Sequence, residues 1–246
     1  LDALCAGKRR VLVLNKADLA EEAQNLAWSH AFTAQGLDAL PFNAARGKPR
    51  ALLARIERAT REKVSRQATR GIKATVRAMV VGVPNVGKST LINCLRGQAI
   101  ARTGDRPGVT RSNQWVRITP YLELLDTPGL LWPRLDDALA ARRLAYLGTM
   151  RDQAIDQGKL ACDLLSDLLA LRPGAVLDRF HMKPPLGEGY ALLEAACLGR
   201  GWLLPGGLPD VDRGAAVVLD EFRAGRLGAI TLEPAPELIG GDARHG

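Results

Sequence analysis

The chain of 246 residues is long enough for one α/β domain and a smaller second one. Its composition is 47% hydrophobic but only 4% aromatic, so any core must be aliphatic. The formal charge of +8 favours a polyanionic partner. No apolar run approaches the length of a membrane span, and no signal-peptide pattern opens the chain. Cys5, Cys94, Cys162 and Cys197 are scattered without CxxC spacing and read as reduced thiols of a cytosolic protein. His30, His181 and His245 are equally dispersed, so no transition-metal site is expected.

In chain order, the apolar run from Arg10 to Leu14 reads as a buried strand ending at Asn15-Lys16-Ala17-Asp18. A helix follows over 21–35, stopped by Gly36, and a second short strand over 40–43 leads into Ala44-Ala45-Arg46-Gly47. From Pro49 to about Thr69, Leu52, Leu53 and Ile56 fall at helical spacing. A strand over 76–81 feeds Gly82-Val83-Pro84-Asn85-Val86-Gly87-Lys88-Ser89, and a helix over 89–95 follows, closed by Gly97. Two more strands are expected over 115–118 and 122–125. Beyond Leu131 the pattern is helical only, over 137–147, 155–171, 190–198 and 210–224. Arg172-Pro173-Gly174 reads as a terminator, 183–189 as a loop rich in Pro and Gly, and 229–232 as a short apolar tail. The expected division is a domain over 1–132 and a helical domain over 133–246, with the boundary near Trp132-Pro133.

Gly82 to Ser89 fits GxxxxGK[ST] with a strand before it and a helix after it, the context a phosphate loop needs. Glycines at 82 and 87 let backbone N–H groups turn inward around phosphates, and the helix N-terminus adds its positive end. Val86, Gly87, Lys88, Ser89 and Thr90 are therefore expected to line the phosphates. Lys88 should reach the β- and γ-phosphates, and Ser89 should ligate Mg²⁺.

Asp126-Thr127-Pro128-Gly129 reads as a second phosphate motif, with Asp126 on Mg²⁺ through water and the Gly129 N–H on the γ-phosphate. Thr110, in Arg106-Pro107-Gly108-Val109-Thr110, is the expected switch threonine closing on Mg²⁺. Lys88, Thr110 and Gly129 are thus the catalytic candidates. Leu130 stands where a water-orienting glutamine would be useful, and a leucine cannot do that work. Hydrolysis must then recruit another group, a cation or a partner. Asn85 has a side chain able to help coordinate K⁺, although bracing the loop is an equal alternative.

Asn15-Lys16-Ala17-Asp18 reads as a guanine-recognition loop. Asp18 can accept from the N1–H and N2–H₂ edge of guanine, whereas adenine would leave that carboxylate unpaired. The Lys16 stem can cover the base, Asn15 can tie this loop to the phosphate loop, and Asn43-Ala44-Ala45 can supply an N–H to guanine O6. Alone the motif could be a helix cap; a strand before it and a phosphate loop elsewhere strengthen it.

These motifs stand in permuted order, with the base-reading loop first and Asp126 last. In that order they resemble the circularly permuted GTPases of the YlqF/RbgA type, the ribosome biogenesis GTPase A family. The tail residues Gly206-Gly207, Ala215-Ala216, Phe222-Arg223 and Leu227 to Glu233 resemble that family too. The resemblance implies an α/β fold: a circularly permuted P-loop G domain, mostly parallel with flanking helices, then a small all-helical domain. It also implies a GTP-driven assembly factor of the large ribosomal subunit, cytoplasmic, with Mg²⁺ and K⁺-stimulated turnover, whose helical domain contacts rRNA. Members begin with a further segment holding a histidine implicated in hydrolysis and a strand in the middle of the sheet. This chain starts at Leu1, a few residues before the Asn15 strand, and is expected to be a fragment lacking that segment. The alternatives are a nucleotide-gated RNA-binding placeholder with negligible turnover and a permuted GTPase of the small subunit. No membrane or DNA partner is expected.

Between Arg46 and Arg77 stand Arg46, Lys48, Arg50, Arg55, Arg58, Arg61, Lys63, Arg66, Arg70, Lys73 and Arg77, against only Glu57 and Glu62. A solvated helix face is the plain alternative. Beside a nucleotide site, an RNA contact is the stronger expectation.

Overall fold

The computed structural model describes residues 7–71, 75–96, 114–127, 129, 137–150 and 156–236. The loop with Thr110, the residues Pro128 and Leu130, and the expected boundary at Trp132-Pro133 lie outside them. The chain forms two compact units. One comprises Leu1–Gly82, Val86–Gly129 and Glu233–Gly246, and the other Val83–Asn85 and Leu130–Leu232.

In the first unit, β1 (Val11–Leu14) pairs in parallel with β2 (Asp38–Pro41). A separate ladder has the order β3 (Val76–Val80), β5 (Leu122–Asp126), β4 (Gln114–Thr119). Within it β3 and β5 are parallel, and β4 and β5 are antiparallel. Among the described residues no ladder joins the two pieces. They share one core nonetheless. Val11, Val13 and Leu40 from the first ladder pack with Val76, Leu122 and Leu124 from the second, against Leu52 of α2 (Arg50–Thr69) and Ile92 and Leu95 of α3 (Lys88–Arg96). Burial of these aliphatic side chains supplies the driving force, about 25 cal/mol per Å² of apolar surface.

α1 (Glu22–Ala34) returns the chain from β1 to β2. Its Trp28 stacks on Phe32 with ring centroids 5.3 Å apart, and Trp28 Nε1 donates to the Glu233 carbonyl at 3.0 Å. The Ala235 N–H donates to Gln24 Oε1 at 2.8 Å. The segment after Leu232, which reads in the sequence as part of the helical domain, thus belongs to the unit of α1.

The second unit is built from α4 (Ala138–Tyr146), α5 (Gln157–Leu171), α6 (Pro173–Phe180), α7 (Tyr190–Arg200) and α8 (Val211–Arg223). Its starts are chemically marked. Asp137, Asp156 and Asp210 each accept from backbone N–H groups of the first turn they precede. α6 corrects the sequence reading. Pro173 does not merely end α5 but occupies the first turn of a further helix, where a missing N–H costs nothing. The core of this unit is aliphatic around Leu164, Leu165, Leu168, Leu193 and Val218, with Phe180 and Tyr146 fully buried. Tyr146 Oη donates to Asp167 at 2.8 Å, and Arg223 donates to the carbonyls of Tyr146 and Ala145 at the end of α4. Glu221 of α8 receives both Arg179 nitrogens, at 2.9 and 2.7 Å, with Arg200 at 3.5 Å.

Candidate nucleotide site

Strand β3 ends at Val80 and α3 begins at Lys88, so the glycine-rich loop sits between a strand and a helix start. Lys88 Nζ donates to the Gly82 carbonyl at 3.1 Å, curling back over its own loop. Burial holds its ammonium below the ordinary lysine value, and the Asp126 carboxylate partly offsets that. Ser89 Oγ donates to Asp126 Oδ2 at 3.2 Å, joining the first turn of α3 to the end of β5. The pair offers a hydroxyl and a carboxylate oxygen side by side, a hard-oxygen donor set that suits Mg²⁺. Buried Thr127 donates its hydroxyl to the Val80 carbonyl at 2.6 Å and fixes the Asp126 loop to β3. The sequence reading missed that tether, although the hydroxyl one residue after Asp126 was its signal.

The Asn15-Lys16-Ala17-Asp18 loop is built by local geometry and one long-range bond. Lys16 is left-handed at φ 56° and exposed, and Asp18 is exposed in the 3₁₀ turn Ala17–Leu19. Asn25 of α1 donates to the Ala17 carbonyl at 2.7 Å, a brace with no signal in the sequence. Asn15 Nδ2 donates to the Val86 carbonyl at 2.7 Å, and Asn15 Oδ1 accepts from the Ala44 N–H at 3.0 Å. Gly87, at φ 87°, lies against that amide: a Cβ there would sit 2.5 Å from Asn15 Nδ2. Only glycine satisfies both the backbone angle and the approach.

Asn43 Oδ1 accepts from the N–H groups of Ala45 and Arg46 at 2.9 and 3.1 Å. The N–H groups of Ala44, Ala45 and Arg46 are therefore all engaged internally. A guanine O6 at Ala44 would have to share its donor with Asn15. Gly47 closes this loop against the Asn43 carbonyl, where a Cβ would approach to 2.4 Å. Thus Asn15, Lys16, Asp18, Asn43, Ala44, Val86, Gly87, Lys88, Ser89, Thr90, Asp126 and Gly129 fall in one unit. Asn85 is left-handed at φ 60°, clusters with the second unit and donates its Nδ2 to the Gly148 carbonyl there. Thr110 lies outside the described residues. Among the described residues no group of three His, Cys, Asp or Glu could hold a metal ion, and no helix is long and apolar enough to cross a membrane.

Residues 77–167 match the family model for the 50S ribosome-binding GTPase. The ribosome biogenesis GTPase A of Bacillus cereus is 38% identical over 98% of this chain and 81% of its own length. That of Priestia megaterium is 36% identical over 96% of this chain and 83% of its own length. The chain belongs to the ribosome biogenesis GTPase A family. The fold agrees: GNP-bound YlqF from T. maritima superposes with a TM-score of 0.62 at 24% identity, over 92% of this chain and 81% of that one. A GDP-bound structure of TM YlqF gives a TM-score of 0.63 at 24% identity, over 91% and 82%. As a member of that family, the chain is a P-loop GTPase and carries Asn15-Lys16-Ala17-Asp18 ahead of its phosphate loop.

Proposed function

We propose that the chain binds and hydrolyses GTP as a cytoplasmic assembly factor of the large ribosomal subunit, engaging its precursor and rRNA according to the nucleotide held. The observation that supports this best is the junction at Asn15, whose one amide bonds to both Val86 and Ala44. It draws the base-reading loop, the phosphate loop and the Asn43 loop to one place. In this reading Asp18 accepts from the guanine edge, and the Lys16 stem covers the base. The N–H groups of Val86, Gly87, Lys88, Ser89 and Thr90 hold the phosphates. Lys88 exchanges its bond to Gly82 for the β- and γ-phosphate oxygens, where its charge offsets what develops as the γ-phosphoryl group leaves. Ser89 and Asp126, with Thr110, would hold Mg²⁺, which would supply charge neutralisation to the phosphates. Gly129 donates its N–H to the γ-phosphate. Asn85 keeps its Oδ1 for K⁺ while its Nδ2 is bonded.

The test is GTP turnover measured in K⁺ and in Na⁺, with and without large-subunit precursor particles. Stimulation by the particles and by K⁺ is expected. Turnover that stays near zero in every condition would favour the gated RNA-binding placeholder instead. Stimulation by small-subunit particles alone would move the assignment to the other subunit.

A further inference from the structure

Helix α2 spans 20 residues, a rod of ~30 Å, and its two halves have different surroundings. The first half is packed, with Leu52 buried and Leu53 and Ile56 against the core. From Arg61 onward, Arg61, Lys63 and Arg66 are exposed, as is Arg70 at the C-cap, and only Val64 and Gln67 are half-buried. These four cations lie within ten positions, about 14 Å along the axis. At about 100° per residue, Lys63, Arg66 and Arg70 fall within roughly 60° of one another and Arg61 lies opposite, so three of the four form one stripe that a polyanion can follow.

The structure also sorts which charges are already spent. Arg55 and Arg58 both pair with Asp38. Burial raises that carboxyl, yet Arg58 and Arg55 outweigh it and hold it below its ordinary value. Glu57 receives the Tyr121 hydroxyl, and Glu62 receives Arg9 at 3.3 Å. Both acids of the helix are therefore turned to partners off the helix, and one of them adds a further cation beside it. Among the described residues no carboxylate pairs with Arg50, Arg61, Lys63, Arg66 or Arg70. Ordinary solvated helices intersperse both signs and satisfy them along the face. This half keeps like charges together, at a cost in repulsion; Arg66 Nε donates to the Glu62 carbonyl at 3.4 Å.

We infer that the second half of α2 and its C-cap are an RNA-docking surface, on which Arg61, Lys63, Arg66 and Arg70 contact phosphates of the rRNA backbone. The inference rests on the proposed rRNA binding and names a surface for it in the G unit. Guanidinium groups at Arg61, Arg66 and Arg70 suit bidentate phosphate contacts, and Lys63 adds a point charge. Such contacts orient the protein without reading sequence. Binding should therefore be tolerant of RNA sequence at this surface and steep in salt.

The experiment is a salt titration of binding to purified large-subunit rRNA, for the parent and for the triple variant Arg61→Gln, Arg66→Gln, Arg70→Gln. Losing three phosphate contacts should reduce the slope of log affinity against log salt by about 2 to 3. GDP binding should be unchanged, which also reports an intact fold. Bound rRNA should shield Lys63 from amine acetylation, and GTP alone should not. The variant Arg58→Gln, already paired with Asp38, should change the slope by less than one contact. If the parent fails to bind rRNA even at low salt, the functional reading and this surface fall together. If the parent binds but the triple variant keeps its slope and Lys63 stays reactive, this surface alone is wrong. Capture by anionic phospholipid vesicles without rRNA binding would also overturn it.

Discussion

Asn15 and Val86 stand 71 positions apart, and the Asn15 amide donates to the Val86 carbonyl at 2.7 Å. The same side chain accepts from the Ala44 N–H. Asn15→Ala would leave both groups unpaired in a half-buried place, at about 1 kcal/mol each. We expect GDP affinity to fall about tenfold or more and the urea midpoint to drop. Asn15→Asp keeps the acceptor for Ala44 but sets a carboxylate oxygen against the Val86 carbonyl, so it should be no better than the alanine variant. Unchanged GDP titration of the alanine variant would remove this side chain from its linking role.

Gly87→Ala should be worse than its size suggests. The new methyl would meet the Asn15 amide at 2.5 Å, and φ of 87° adds backbone strain, about 1–2 kcal/mol. In an Asn15→Ala background the clash disappears and only the strain remains. The two substitutions should therefore combine less than additively in nucleotide affinity. Simple additivity would mean that the amide and the glycine do not meet.

Base choice should rest on Asp18, which is exposed in its turn and needed by no packing contact. The parent should prefer guanine over adenine nucleotides strongly. Asp18→Asn should weaken GTP binding and improve binding of xanthosine triphosphate, which carries a carbonyl at C2. Competition between the two nucleotides reads this directly, and equal affinity of the parent for ATP and GTP would defeat it.

Lys88→Ala and Ser89→Ala should each cost about 10- to 100-fold in GTP affinity, the weight of a charge-assisted contact. For Ser89→Ala the loss should appear only with Mg²⁺ present. Neither side chain belongs to the aliphatic core, so thermal unfolding should move little. Normal GTP binding in either variant would mean that Gly82 to Ser89 does not hold phosphates.

The helical unit has a separate acid limit. Arg179, hydrogen-bonded to Glu221, holds that carboxyl below its ordinary value of 4.5; burial opposes this and Arg200 adds to it. A lowered folded pKa gives stability that is complete above 4.5 and lost as pH falls through the folded value. Glu221→Gln should cost about 1–3 kcal/mol at pH 7. The gap between parent and variant in urea titrations should narrow as pH drops below 4.5. A gap that stays constant down to pH 2 would show that the Glu221 charge does not stabilise the fold.

The sequence by itself determined everything that is written in consecutive residues. The strand before Asn15, the loop from Gly82 to Ser89 and the helices capped by Asp137, Asp156 and Asp210 are local, because capping, turn chemistry and periodicity act within a few positions. So were the phosphate loop and the placing of Asn15-Lys16-Ala17-Asp18 ahead of it. Tertiary structure decided what needs partners far along the chain. Pro173 could end one helix or begin another, and it starts α6, whose Val176 and Phe180 are buried in the helical core. Asp38, not the spacing of arginines, separates paired Arg55 and Arg58 from the cations farther along α2. Residues 233–236 join α1 because Trp28 and Gln24 supply the hydrogen bonds. Periodicity reports which face of a helix is apolar. It cannot report which distant carbonyl or carboxylate that face will meet, and those meetings are what tie Asn15 to Val86 and Ser89 to Asp126.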